Sequence, residues 1–326
     1  MQLSRFIASS IVLLVAAGCS PPASPQQPAL PGLLHAAPAG SGVGADVREL
    51  LYAGGPVQNT VGVYRASGNN RKPLRTIANG LNAPTGIAVD SSGNVYVCNN
   101  AGMRTGPRGA KKGTWTVTVY KRGQTVPFES YSDAVWSPVD VAIAPDGTVF
   151  IANFSSSVTI YPAGSLTHSR TLVGPSGQAP LGLALDAAGN LFVSYVSNLS
   201  GGGSIYEYAP GQNTGTNIGI NFSGEPHGLA IDGRGNLIVA VSKAPGSGSD
   251  IEIFAPGSTT PKKKISGPFQ PFMLALGSNG RRLFAADFGS GNGDGAVFKY
   301  AYPSGKLIAK DTQGPAAYGY GVAIDL

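Results

Sequence analysis

Residues 179–211 read APLGLALDAAGNLFVSYVSNLSGGGSIYEYAPG, and degraded copies of this stretch recur from about residue 50 to the last residue. Leu181, Leu183 and Leu185 alternate with Gly182 and Ala184. That is the period of two of a strand whose neighbours leave room only for small residues between them. Asp186 and Gly189-Asn190 follow, where the carboxylate can bond back to the main chain and glycine supplies a positive φ, closing a tight hairpin. Residues 191–195 then read as a second strand, a Gly/Ser-rich loop runs to Gly203, and residues 204–208 make a third strand that Pro210-Gly211 stops. The stretch is predicted to fold as an antiparallel meander.

The copies set the architecture. Pro84-Thr85-Gly86-Ile87-Ala88-Val89-Asp90 precedes Gly93-Asn94-Val95, and Pro138-Val139-Asp140-Val141-Ala142-Ile143 precedes Asp146-Gly147. Beyond the template come Pro226-His227-Gly228-Leu229-Ala230-Ile231-Asp232 with Gly235-Asn236, and Pro271-Phe272-Met273-Leu274-Ala275-Leu276. The marker prolines lie 42 to 54 residues apart, the length of one four-stranded propeller blade. At the N-terminal end, residues 50–53 and 61–64 are second and third strands with no inner strand before them. At the C-terminal end, residues 320–325 are an inner strand with nothing after it. The predicted fold is therefore an all-β, six-bladed β-propeller, residues 47–326, whose ring is closed by the C-terminal strand completing the N-terminal blade.

The P-x-G-[ILV]-A-[VIL]-D and G-N-[VL]-[YF]-V patterns resemble NHL repeats and the related six-bladed propellers over nearly all of residues 47–326. The resemblance implies the architecture but leaves the activity open. The group spans binding scaffolds, gluconolactonase-like metal hydrolases, strictosidine synthase-like enzymes and lyases.

Residues 1–18 carry Arg5, an apolar run from Phe6 to Ala17 and small residues before Cys19, the pattern of an export signal too short for a membrane span. Val15-Ala16-Ala17-Gly18-Cys19 resembles the lipobox of bacterial lipoproteins, with Ala16 where Leu is commonest; the resemblance implies acylation of Cys19. Ser20 after it implies the outer membrane where the host has one. Residues 19–46 are rich in Pro, Ala and Gly with almost no charge, and are read as a tether. An exported protein of the bacterial cell envelope, attached to the membrane through its lipid, is the expectation. A monomer is expected too.

Charged residues make up 12% of the chain, and Cys98 is the one cysteine left once Cys19 is acylated. An internal disulfide is thereby excluded. The net charge of +6 is concentrated in Arg104, Arg108, Lys111 and Lys112 and in Lys262-Lys263-Lys264. Such runs are usually solvated loops. No aromatic ladder accompanies them, so nucleic acid is not expected as a partner. No G-x-S-x-G elbow, Walker loop or H-E-x-x-H is present, which leaves serine-hydrolase, nucleotide and zincin chemistry without support.

The long loops fall on the face opposite the tight hairpins, so a site is sought there. Thr85, Val139, Leu181, His227, Phe272 and Tyr320, just before each inner strand, are expected to ring the channel mouth. Asn99, Asn153, Tyr195, Val241 and Asp287, ending the second strands, are expected to join them. Two readings follow. In the first, Thr85, Tyr195, Phe272 and Tyr320 offer stacking and apolar contact to a protein, glycan or small-molecule ligand, making the propeller a binding module. In the alternative, Asn99, Asn153 and Asp287 hold Ca²⁺ or Mg²⁺ and His227 is the base of a lactonase- or esterase-like hydrolase. That set loosely resembles the gluconolactonase-like site, although Glu49 does not match the expected N-terminal Glu. The same polar residues could instead satisfy loop backbone groups. His168 is read as exposed and inert, and the glycine- and carboxylate-rich residues 287–295 as a flexible connection lacking EF-hand spacing.

Overall fold

The computed structural model describes residues 49–69, 71–100, 115–154, 157–197, 202–243, 248–290 and 294–325. The export signal, Cys19, the tether and the basic residues Arg104, Arg108, Lys111 and Lys112 lie outside the described residues.

The described residues form six four-stranded antiparallel sheets. The first blade contains β1 (Leu50–Gly55), β2 (Thr60–Arg65) and β3 (Arg75–Ile77). The second contains β4 (Pro84–Val89), β5 (Val95–Asn99), β6 (Thr116–Tyr120) and β7 (Glu129–Tyr131). In the third are β8 (Pro138–Ile143), β9 (Val149–Asn153), β10 (Ser157–Tyr161) and β11 (Arg170–Val173). The fourth has β12 (Gln178–Leu185), β13 (Leu191–Ser197), β14 (Gly203–Tyr208) and the two-residue β15 (Thr216–Asn217). Blade 5 has β16 (Glu225–Ile231), β17 (Leu237–Ser242), β18 (Asp250–Phe254) and β19 (Pro261–Ser266). Blade 6 has β20 (Pro271–Leu276), β21 (Arg282–Asp287), β22 (Ala296–Ala301) and β23 (Lys306–Asp311). The last strand, β24 (Gly321–Asp325), pairs antiparallel with β1 and supplies the missing inner strand of blade 1.

The repeated motifs have direct physical roles. Asp186 Oδ1 accepts the amides of Ala188 and Asn190 while Oδ2 accepts the Asn190 side chain, and Gly189 between them has φ +83°. Asp90 and Asp232 make the same three bonds in their hairpins. The glycine of P-x-G is demanded by crowding at the axis. A Cβ at Gly182 would collide with the His227 carbonyl, one at Gly228 with that of Phe272, and one at Gly321 with that of Thr85. In four of the six blades the inner strand thus crosses its neighbour's backbone at a contact that a bare Cα permits, whereas Asp140 and Met273 occupy the position in blades 3 and 6.

The apolar core sits between blades. Five clusters each fill one seam between neighbours, and the sixth fills the seam between blades 6 and 1 and continues to Leu181 of blade 4. Tyr64, Tyr120 and Tyr161, at or next to the ends of third strands, each donate a hydroxyl to the backbone of the connection entering their blade, at Gln313, Asn79 and Asp133. The first blade carries further ties on both of its sides. Arg122 pairs with Asp325 of β24, and Glu49 Oε1 accepts the Ser278 amide at 2.6 Å while Oε2 lies 3.8 Å from Arg282. Glu49 therefore buttresses the seam between blades 1 and 6 at the hairpin end, far along its strand from the channel mouth.

Candidate functional site

At the loop-bearing end of the channel the six residues of the expected ring are drawn inward rather than left around an opening. Thr85 and Val139 are fully buried, and the Thr85 hydroxyl donates to the Pro138 carbonyl of the next blade at 2.9 Å. The Phe272 ring stacks on Tyr320 with centroids 4.1 Å apart and on His227 at 4.6 Å, and Phe288 meets both phenyl rings edge-on. Leu181, Met273 and Tyr320 belong to one buried cluster with Phe272 packed against it, so the mouth is an extension of the core. The Tyr320 hydroxyl is buried without a partner among the described residues, and burial, then the nearby Asp140 charge, push the phenol upward.

His227 is 5% exposed and held at both ring nitrogens. Nδ1 lies 3.2 Å from the Pro271 carbonyl and Nε2 lies 3.2 Å from Glu225 Oε2. The hydrogen bond to His227 holds the Glu225 carboxyl below the usual carboxylate range, against partial burial. With both nitrogens occupied and Phe272 over one face, the imidazole has no atom directed at an incoming substrate.

Residues ending the second strands do not point to the mouth. Asn99 Oδ1 accepts the Asn82 amide at 2.9 Å and its Nδ2 donates to Thr116 and Thr118. Asn153 Oδ1 accepts the Trp136 amide at 2.8 Å, and its Nδ2 donates to Thr159. The Asp287 carboxylate accepts three amides, those of Phe269, Gln270 and Gly289. Each of the three ties down the connection that enters its own blade. Tyr195, fully buried, occupies the equivalent place in blade 4 with its hydroxyl 2.7 Å from that of Tyr208, and a Cβ on Gly174 of the entering connection would strike its ring. Phe272, Tyr320 and His227 are thus brought together, whereas Tyr195 lies in the core between blades 3 and 4. The reason is strand alternation. Asn99 shares the face of Val95 and Val97, Asn153 that of Val149 and Ile151, Tyr195 that of Leu191 and Val193, and Asp287 that of Leu283 and Ala285, all of which are buried in the seams.

For a divalent cation the fit is poor. The oxygens of Asn99, Asn153 and Asp287 accept backbone amides in three separate blades, so each already faces a donor where a cation would need a free lone pair. Among the described residues no group of three or more His, Cys, Asp or Glu could hold a metal ion.

Three features escape a reading of motifs alone. Asp140 stands where four inner strands have the axial glycine, and it lines a cavity of about 340 Å³ in the hairpin-end half of the channel, walled by the aliphatic ends of the inner strands. Burial raises its carboxyl to about 7, although the amides of Leu183 and Val141 favour the ionised form. Burial, then the Asp140 charge, also pushes the Cys98 thiol far up, consistent with an inert core cysteine. Secondly, the only two tryptophans in the chain meet on the loop-bearing face. Trp115 precedes β6 and Trp136 precedes β8, and their rings lie 4.1 Å apart with Trp136 55% exposed. Exposed Phe269 lies on the same face, just before β20. The signal available in the sequence was the restriction of both tryptophans to loops of one face. Thirdly, His168 is not isolated: its Nδ1 lies 2.6 Å from Asp133, whose carboxyl this contact holds below its usual range.

No family model and no curated protein matches the chain. Solved structures do resemble it. The structure of a nidogen/laminin complex superposes with a TM-score of 0.64 at 16% identity, over 85% of this chain and 98% of that one. A protein of unknown function from Bacteroides caccae gives 0.62 at 14%, over 85% and 98%. Hydrazine synthase of Kuenenia stuttgartiensis gives 0.53 at 14%, over 83% and 88%. At these identities the likeness is one of fold, and it supports the six-bladed propeller.

Proposed function

We propose that this chain is a lipid-anchored propeller of the bacterial cell envelope, displayed outside the cytoplasm as a monomer, that binds a partner through its loop-bearing face. The observation that carries the reading is the Trp115–Trp136 pair, whose outer ring is left 55% exposed at the head of an inner strand. An exposed, rigidly held indole offers a large flat apolar surface that gains free energy when a ligand covers it. Asn153 fixes the backbone under Trp136, so the indole is presented on a rigid support. The stacking role expected of the channel mouth passes to this pair, because Phe272 and Tyr320 are already stacked on each other. The metal-hydrolase reading draws no support from side chains that are spent on backbone amides.

Both tryptophans of the chain sit in this one cluster, so indole emission reports on it alone. Full-length protein is to be screened on a glycan array and against envelope peptides, with hits titrated by tryptophan emission. Trp136→Ala is expected to fold normally and to lose the hit together with the emission change. A ligand bound equally well by Trp136→Ala would overturn the reading. For the anchor, intact-mass analysis is expected to find a diacylglycerol-modified Cys19 at the mature N-terminus, and Cys19→Ala to leave the protein unattached.

A further inference from the structure

The interblade faces of the six sheets can be compared position by position through their registers. In each second strand one residue pairs with an alanine of the inner strand, and the third-strand residue opposite it is Val63 across from Tyr52, Val119 across from Tyr96, Ile160 across from Phe150 and Ile253 across from Ile238. All four aliphatic residues are at most 3% exposed. Only blades 4 and 6 depart, and both place a charge there: Glu207 across from Phe192, and Lys299 across from Phe284. Lys299 is neutralised by Asp311 at 2.6 Å. Glu207, half-buried, makes no ion pair or side-chain hydrogen bond with any described residue.

The wall around Glu207 is not closed. A cavity of about 270 Å³ opens between blades 4 and 5, lined by Phe192, Ile218, Ile220, Leu237 and Phe254, with Glu207 set in its side. The other carboxylate lining it, Asp186, is engaged by its own hairpin. No basic side chain lines the cavity among the described residues. A carboxylate without a counter-charge beside an apolar wall is complementary to a ligand that brings both apolar surface and a positive charge.

We propose that this cavity is a binding site for a small organic amine, whose apolar body enters between Phe192 and Phe254 and whose ammonium group meets Glu207. The site lies towards the hairpin face, between two blades, and is independent of the tryptophan face. A neutral molecule of the same shape fills the cavity but leaves Glu207 unpaired. A carboxylate ligand is repelled.

The test uses the full-length chain with phenethylammonium and hexylammonium as probes, 2-phenylethanol as the neutral isostere and 3-phenylpropanoate as the anion. Calorimetric titration and thermal melting are the readouts. The ammonium probes are expected to bind saturably and raise the melting temperature. 2-Phenylethanol, and either ammonium on Glu207→Gln, should bind at least about tenfold more weakly, the loss expected for one charge-assisted contact. Glu207→Val installs the residue that blades 1 and 2 carry at this position, so it is expected to fold at least as well as the parent while losing the ammonium selectivity. Absence of saturable ammonium binding at millimolar concentration overturns the proposal. So does equal affinity of the parent and Glu207→Gln, or equal affinity for the ammonium and the alcohol.

Discussion

Lys299 Nζ lies 2.6 Å from Asp311 Oδ2 with the two side chains 2% and 0% exposed. This pair joins β22 to β23 and reaches across the closing seam, because Lys299 also donates to the Gly68 carbonyl and Asp311 accepts the Arg71 amide. Burial drags the Lys299 pKa down and Asp311 holds it up. Removing one partner strands a charge in the core, which costs about 3–5 kcal/mol. Lys299→Met and Asp311→Asn are each expected to lose stability on that scale in urea titrations. The pair Lys299→Met/Asp311→Leu is expected to lose less than the sum of Lys299→Met and Asp311→Leu measured singly, since four other blades hold an aliphatic residue at the Lys299 position. Additive losses would show that the two charges do not depend on each other.

Asp140 imposes a pH dependence of known sign. Its folded pKa of about 7 exceeds the ordinary aspartate value of 3.8. At the acid end both folded and unfolded chains carry the proton, and the contribution to stability is complete. As pH rises past 4 the unfolded chain releases the proton first, so stability falls until the folded group also ionises near 7. Three pKa units correspond to a loss on the order of 4 kcal/mol. Asp140→Asn keeps an acceptor for the Leu183 amide and carries no charge, so it is expected to flatten the change between pH 5 and pH 8. Asp140→Gly, which places at the axis the residue found at Gly86, Gly182, Gly228 and Gly321, should flatten it too. Denaturant midpoints at the two pH values decide; an unchanged slope in both variants removes Asp140 as the titrating group.

These two cases mark where the sequence is readable. The P-x-G and D-x-x-G-N motifs encode local backbone necessities, a crowded axial crossing and a tight hairpin, and local necessities show in a linear pattern. Blade number and closure follow from them. The direction of a side chain at a strand end follows from alternation with the core residues two and four places before it, which sends Asn99, Asn153, Tyr195 and Asp287 to the entering connections and not to the mouth expected for them. Asp140 and Glu207 were legible in principle, each being a charge where its repeats have glycine or an aliphatic residue. Whether such a charge finds a partner is settled by the side chains folded against it: Lys299 meets Asp311 of the next strand in its own blade, and Glu207 meets no such group among the described residues.

Asp287 separates a structural role from a metal-binding one. Its carboxylate accepts the Phe269, Gln270 and Gly289 amides, anchoring the connection into blade 6 beside exposed Phe269. Asp287→Ala leaves those amides without their acceptor, at about 1–3 kcal/mol for a buried unsatisfied group. The expected decrement in stability is the same with excess Ca²⁺, with excess Mg²⁺ and with a chelator. Asp287→Asn should retain part of the loss because one oxygen persists. A decrement that appears only in the presence of a divalent ion would reverse this assignment and restore the cation reading.

Ring closure rests on β24, whose five residues pair with β1 from Leu50↔Asp325 to Gly54↔Gly321. Val322 and Ile324 lie in the cluster that fills the seam between blades 6 and 1, and Ala323 packs with Tyr52 and Ile87 between blades 1 and 2. Asp325 anchors Arg122 of blade 2. Deleting the last eight residues removes the inner strand and Tyr320, opens the β1 edge, and exposes the apolar faces of three blades at once. Loss of the cooperative melting transition, with rapid proteolysis inside blades 1 and 6, is the expected outcome. Substitution of Asp325 by Asn is the graded control: it removes the charge from the Arg122 contact while keeping the strand, and is expected to lower the melting temperature without abolishing the transition. A truncated chain that melts cooperatively near the parent temperature would show that the ring closes by some means other than this strand.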